Sequence, residues 1–196
     1  TTNTVAHTCT GTDLILFVYA FSNLTTDDTA NMTCTYNGVA MTAVDSIFDT
    51  EPIDHAARNN KLFYLINPAT GANNIVLTAS SAYLRTQAAS YTGVKQSAQP
   101  DSKNTGTLAV GGGTLTISTT VVADNCWMII GGDSGDTTPT AGASTTARKT
   151  NGDGMFLGDS NGVVSTGSQS LAFTSVGVAS RAGIVASFSP VVAATT

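Results

Sequence analysis

The sequence predicts an all-β protein, a single antiparallel β-sandwich of jelly-roll-like form with about 10–12 short strands. Three observations carry this. Only 11% of the 196 residues are charged, against roughly a quarter in ordinary globular chains. Their place is taken by 33 Thr, 18 Ser, 25 Ala and 19 Gly. Thr is β-branched and suits a pleated surface, whereas exposed helices need long Glu and Lys side chains. Glu51 is the only Glu beside 12 Asp, and Asp favours turns and caps over helix interiors. Lastly, short apolar runs recur every 8–12 residues or so between turn signals, as in sandwiches and barrels rather than βαβ units.

The length fits one domain, taken as residues 1–196, with a long Gly/Asp/Thr loop at 131–144 and terminal arms at 1–6 and 190–196. The sequence shows no tandem repeat and no linker. The net charge is −5, and four Lys and four Arg are scattered along the chain. That pattern argues against nucleic-acid binding, which needs a basic patch. No apolar run approaches the ~18 residues of a spanning helix, so membrane insertion is not expected. The chain opens on Thr1 with no leader pattern, which fits a removed leader or numbering from a mature end.

The elements follow in order. Asp13 to Ser22 (DLILFVYAFS) is an apolar run of strand length, fit for burial on both faces. After a polar loop, Met32 to Val44 places Asn37-Gly38 between two alternating segments. This is the strongest short-range hairpin signal, because a type I′ turn needs positive φ at both central residues. Ile53 to Arg58 suggests one short helical turn. Lys61 to Ile66 reads as a strand, Asn67 to Gly71 as a turn, and Asn74 to Ala79 as the partner of that strand. Tyr83 to Val94 holds another strand, and Leu108 to Val122 a hairpin about Gly111-Gly112-Gly113. Cys126 to Ile130 is a buried strand carrying the only Trp, while Gly131 to Ser144 reads as irregular. Met155 to Leu157, Gln169 to Val178 and Arg181 to Phe188 complete the set. Cys9, Cys34 and Cys126 allow at most one internal disulfide, and their surroundings suit small buried hydrophobes. No Cys/His spacing suggests zinc.

The succession TYNGVAMTAV (35–44), KLFYLINPATGANNIVLT (61–78) and AASYTGVKQSAQP (88–100) resembles a jelly-roll-like β-sandwich module. That module recurs in structural proteins of tailed phages and environmental viruses and in bacterial surface proteins. The likeness covers about Leu14 to Ile130 and rests on sandwich-building features. It implies a fold and an exterior setting, and it carries no catalytic signature.

Several motifs invite chemistry. Ala6-His7-Thr8-Cys9 and Gly132-Asp133-Ser134-Gly135 resemble fragments of a chymotrypsin-type protease, whose His must hydrogen-bond its Ser. Too little chain precedes His7 for that fold, and Asp136 stands where the motif has a second Gly, so a turn is the simpler reading. Gly158-Asp159-Ser160-Asn161 resembles the nucleophile block of GDS-type lipases, which sits early in an α/β chain. Glu51 and His55 have no second acidic partner for acid–base work. No catalytic residue and no cofactor is therefore expected. The one metal candidate is Ca²⁺, through Asp133 and Asp136 or Asp153 and Asp159 in Gly-rich loops. Tyr36, Tyr83, Tyr91 and Trp127 would stack on sugars if exposed, although such residues more often serve the core.

The resulting expectation is a non-enzymatic structural protein on a virion or cell exterior, most specifically a phage capsid decoration or head-surface protein. Low charge and short side chains suit subunit contacts, because few long side chains must be ordered on association. The expected contacts are with itself or a capsid lattice, through Thr1, Thr2, Val191, Val192 and Ala193. The alternatives are an adhesin or carbohydrate-binding module that takes glycans, and an extracellular filament subunit, which differs only in the symmetry of self-contact.

Overall fold

A computed structural model of the chain describes residues 1–50, 57–135 and 137–191. Among them there is no helix. The strands are β1 (Thr2–Cys9), β2 (Ile15–Asn23), β3 (Thr33–Tyr36), β4 (Val39–Ala40), β5 (Thr42–Asp49), β6 (Arg58–Ile66), β7 (Gly71–Thr78) and β8 (Leu84–Tyr91). They continue with β9 (Ser102–Leu108), β10 (Gly113–Val121), β11 (Trp127–Asp133), β12 (Thr140–Ala141), β13 (Thr146–Thr150), β14 (Met155–Asp159), β15 (Gly167–Ser175) and β16 (Arg181–Phe188). The fold is all-β and sandwich-like, as the sequence predicts, but its strands form four antiparallel sheets.

The N-terminal outer sheet has the order β1-β7-β3-β4, and the N-terminal inner sheet β5-β6-β2-β8. The C-terminal inner sheet runs β13-β14-β11-β16-β9, and the C-terminal outer sheet β10-β15-β12. Three cores fill the gaps between these layers. Leu14, Leu16, Val18 and Ala20 meet Ile75, Leu77 and Cys34 in the first. Alternate residues of β2 point the other way, so Ile15, Phe17 and Tyr19 meet Ile129, Met155, Leu157 and Ile184 in the second. Met128, Ile130 and Val185 face Leu115, Ile117, Leu171 and Phe173 in the third. Each fully buried large side chain contributes roughly 1.5–3 kcal/mol. β2 and β16 are buried almost throughout because each has a core on both faces, which explains the apolar run the sequence shows at 13–22.

The two halves repeat one topology. β10 pairs with β15 as β1 does with β7, β15 with β12 as β7 does with β3, and β13 with β14 as β5 does with β6. β11 sits between β14 and β16 as β2 sits between β6 and β8. The registers agree in detail. Cys9 faces Gly71 and Val121 faces Gly167, both glycines with positive φ. The bulges coincide, Val44 against the Phe63/Leu62 step and Arg148 against the Gly158/Leu157 step. Residues 1–23 therefore match 113–135 without a gap, and the left-handed Asp13 falls on the left-handed Asn125. Ala89-Ser90-Tyr91 likewise matches Ala186-Ser187-Phe188. The sequence hides this repeat because few identities survive. Among the described residues β9 has no counterpart in the N-terminal half.

Several expectations are corrected. The terminal arm predicted at 1–6 is most of β1, paired along its length with β7. β6 and β7 are not partners, since the Asn67–Gly71 turn carries the chain between sheets. Gly111–Gly113 makes no hairpin either and passes the chain from β9 in one sheet to β10 in another. Gly131 and Gly132 are not loop residues but lie within β11. A Cβ on Gly131 would stand 2.7 Å from Cγ of Tyr19, and one on Gly132 2.5 Å from Cζ of Phe173. These glycines let rings from the neighbouring layers approach the strand, one use of Gly inside a sheet. The Asn37-Gly38 turn holds, with φ of 49° and 76°. All three cysteines are free and buried. The helical turn expected at 53–58 lies mostly outside the described residues, and Arg58 begins β6.

Candidate functional site

The structure separates the protease-like pair. His7 sits half-buried on β1 in the outer sheet, with Nε2 3.1 Å from the Ser90 hydroxyl. Ser134 follows β11, two layers away, and donates to the carbonyls of Thr137 (2.8 Å) and Gly154 (3.3 Å). Burial, with help from the charge of Lys149, holds the His7 imidazole below its ordinary pKa. In the lipase-like block, the Ser160 hydroxyl donates to the Gly162 carbonyl at 2.7 Å and accepts from the Met128 N–H. Glu51 and His55 lie outside the described residues.

The carboxylates considered for Ca²⁺ are not brought together. Each of the three described ones faces its own arginine. Asp133 accepts from Arg58 Nη1 at 2.7 Å, Asp153 pairs with Arg85 at 3.1 Å, and Asp159 accepts from Arg148 Nε at 2.6 Å. Asp136 lies outside the described residues. Among the described residues no group of three or more His, Cys, Asp and Glu is placed to hold a metal ion.

The first of these pairs anchors the junction between the halves. Arg58 also reaches Asp49 at 3.3 Å and the Ser180 carbonyl at 3.0 Å, and the Ser180 hydroxyl donates to Asp49. Burial pushes the Asp133 carboxyl up to about 6, against the opposing pull of the Arg58 charge. Arg181, wholly buried, caps the carbonyl of Ser175 at the end of β15 (2.7 Å) and those of Gly177 (2.9 Å) and Ala179 (3.1 Å) in the loop that follows. Reasoning from sequence passed over all four arginines. Their scarcity was the available signal, since a chain that barely uses charge on its surface keeps its arginines for particular contacts.

Of the four candidate sugar-stacking aromatics, the structure unites two. Tyr36 is buried in the first core and donates to the carbonyls of His7 and Gly71, each at 3.2 Å. Tyr83 is exposed at the far end of β8 and stacks under Arg85. Tyr91 and Trp127 lie with ring centroids 5.9 Å apart, backed by Phe188 at 4.9 Å from Tyr91. They line an open cavity of about 390 Å³ together with Asn125, Val163, Ser189 and Pro190. The Tyr91 hydroxyl is committed inward, donating to Asp159 at 2.7 Å. Burial and that carboxylate raise its pKa well above the usual phenol. The cavity thus offers ring surface from Tyr91 and Trp127, with Asn125 and Ser189 as polar groups.

Of the assembly residues, Thr1 donates its amine to the Ala79 carbonyl at 3.0 Å, and Thr2 pairs with Thr78. Val191 is half-exposed and donates its N–H to the Gly93 carbonyl at 2.8 Å. Val192 and Ala193 lie outside the described residues.

These features define a class by architecture, two like β-sandwiches joined through their inner sheets by a buried ion network, with an aromatic cleft at one end of the junction. No protein family, curated protein or solved structure matches the chain.

Proposed function

We propose that this chain is a non-enzymatic structural protein of a virion or cell exterior, in its most specific form a phage capsid decoration or head-surface protein. One observation carries the reading. The described residues that invite chemistry are engaged in holding the fold, as Asp133–Arg58, Asp153–Arg85, Asp159–Arg148, His7–Ser90 and the Ser134 hydroxyl. What remains at the surface is mostly Thr, Ser, Asn and Ala, side chains that cost little to desolvate or order when a neighbour covers them. Val176 (89% exposed) and Val178 (68%) add apolar surface beside β16. Sedimentation of the full chain, with electron microscopy of the native particle, tests the proposal. Self-association or lattice decoration is expected, weakened by deletion of residues 191–196. A monodisperse monomer that decorates no particle and is unchanged by that deletion would overturn it.

A second reading, carbohydrate binding, draws on the meeting of Tyr91 and Trp127 at an open cleft. A glycan array tests it. Binding lost in Trp127→Ala and kept in Tyr83→Ala supports it, and an array without signal removes it.

A further inference from the structure

The repeated topology exposes a vacancy. In the C-terminal inner sheet β16 is not the edge, because β9 pairs along it from Arg181↔Leu108 to Ser187↔Ser102. In the N-terminal inner sheet the matching strand, β8, ends the sheet among the described residues. The Asn23 N–H donates to the Tyr83 carbonyl, continuing the ladder of β2 with β8. Antiparallel pairing then turns the backbone groups of Arg85, Gln87, Ala89 and Tyr91 toward β2 and those of Leu84, Thr86, Ala88 and Ser90 outward. Among the described residues none of these four has a backbone partner on the outer side.

The surroundings bear the marks of the missing strand. β9 covers Leu115 and Ile117, with a Cβ on Gly106 only 3.0 Å from Ile117, and both residues are buried. Their matches on β1, Asn3 and Val5, are less covered and only half-buried. Free edges are usually blocked by Lys, Pro, a bulge or shortness. β5 and β13 carry bulges, β9 carries Lys103, and β4 and β12 have two residues each. β8 has none of these protections, nor have the outer-sheet edges β1 and β10, so what singles β8 out is the partner that its match β16 has in β9; Arg85 is its only charged residue.

Charge indicates what fits. Lys103 of β9 lies opposite Ala186, reaches across to the bulge of β5, donates to the Val44 carbonyl at 2.6 Å and pairs with Asp45 at 3.2 Å. Ala186 matches Ala89, and Asp45 matches Lys149 on the bulge of β13. Lys149 is exposed and makes no ion pair among the described residues, and its charge is felt at His7 on β1.

We propose that the outer edge of β8 accepts an extended polypeptide strand from a partner protein, and that this strand carries a carboxylate opposite Ala89 to meet Lys149. Main-chain hydrogen bonds would supply affinity and the carboxylate register, as in other strand additions. The proposal gives the assembly reading a contact and rests on it for biological meaning, though not for its chemistry.

Because Thr1 matches Gly113, a copy of residues 101–112 joined ahead of Thr1 on the full chain would deliver a test strand to the vacancy. With Asp at the copy's counterpart of Lys103, amide exchange at Thr86, Ala88 and Ser90 is expected to slow by about tenfold or more. The control carries Pro at the counterparts of Asn104 and Gly106, which removes the donors. The Lys form of the copy should protect less, by up to about fivefold for an exposed ion pair, and Lys149→Glu should reverse that order. Absence of protection overturns the acceptor edge, and protection indifferent to charge overturns the carboxylate. Full protection in a chain that sediments as a monomer without its extension upholds the edge and counts against the assembly reading instead.

Discussion

The two halves share a plan and differ most along the central strands where they touch, β2 and β11. Turns and bulges are kept at matching places, as Asp13 with Asn125 and Gly71 with Gly167. On the shared faces Leu62 and Leu157, Ala89 and Ala186, and the rings of Tyr91 and Phe188 are kept, whereas the facing side chains of β2 and β11 are not. Tyr19 and Gly131 are matching positions on the two inner sheets, and they pack on each other. A tyrosine at both would collide and a glycine at both would leave a void, so at this position a large residue in one half requires a small one in the other. The difference teaches that backbone conformation fixes this topology, while complementarity of size and charge fixes how the halves join.

The buried ion network should be the most sensitive part of that junction. Replacing Arg58 by Met strands Asp133 and Asp49 without their guanidinium and is expected to cost about 3–5 kcal/mol, read by chemical denaturation at neutral pH. A cost below 1 kcal/mol would show that the halves do not depend on this network.

A pH effect of the next size follows from Asp133. Its folded pKa of about 6 lies above the ordinary value near 4. Between those pH values the folded chain holds a proton that the unfolded chain has released. Stability should therefore be full below about pH 4 and fall by up to about 3 kcal/mol as pH rises through 6. Asp133→Asn should flatten that slope. A wild-type curve already flat from pH 4 to 6 would contradict the assigned burial.

The smallest effect tests the likeness of the halves. Asp13 and Asn125 hold the same left-handed turn, so alanine at either should cost about 1 kcal/mol and glycine close to nothing. Thermal denaturation of the four variants should give two matched pairs, and a tolerant turn in one half only would break the equivalence.

Much of the fold was legible in the sequence, and the illegible parts have physical reasons. Asn37-Gly38 and the long apolar run of β2 declared themselves because turn chemistry and two-sided burial leave local traces. β1 and β9, rich in Thr and Asn with little apolar contrast, left none and were missed as strands. Gly131 and Gly132 misled because a glycine that admits a neighbouring ring looks, in sequence, like one that makes a turn. Strand partners were misjudged at Gly71 and Gly111–Gly113, since a short Gly-rich turn serves a hairpin or a change of sheet equally well. Of the cleft, Tyr91 and Trp127 were legible as residue types, but their meeting depends on a junction between halves that no local pattern reveals.

The central claim is that Tyr19 and Gly131, matching positions on the central strands of the two inner sheets, are complementary across the shared layer. A double-mutant cycle on Tyr19→Ala and Gly131→Ala tests it most directly. Gly131→Ala alone should cost about 3 kcal/mol through overpacking. In the Tyr19→Ala background it should cost less than about 1 kcal/mol, a coupling of roughly 2 kcal/mol. Costs that add to within about 0.5 kcal/mol would contradict the claim.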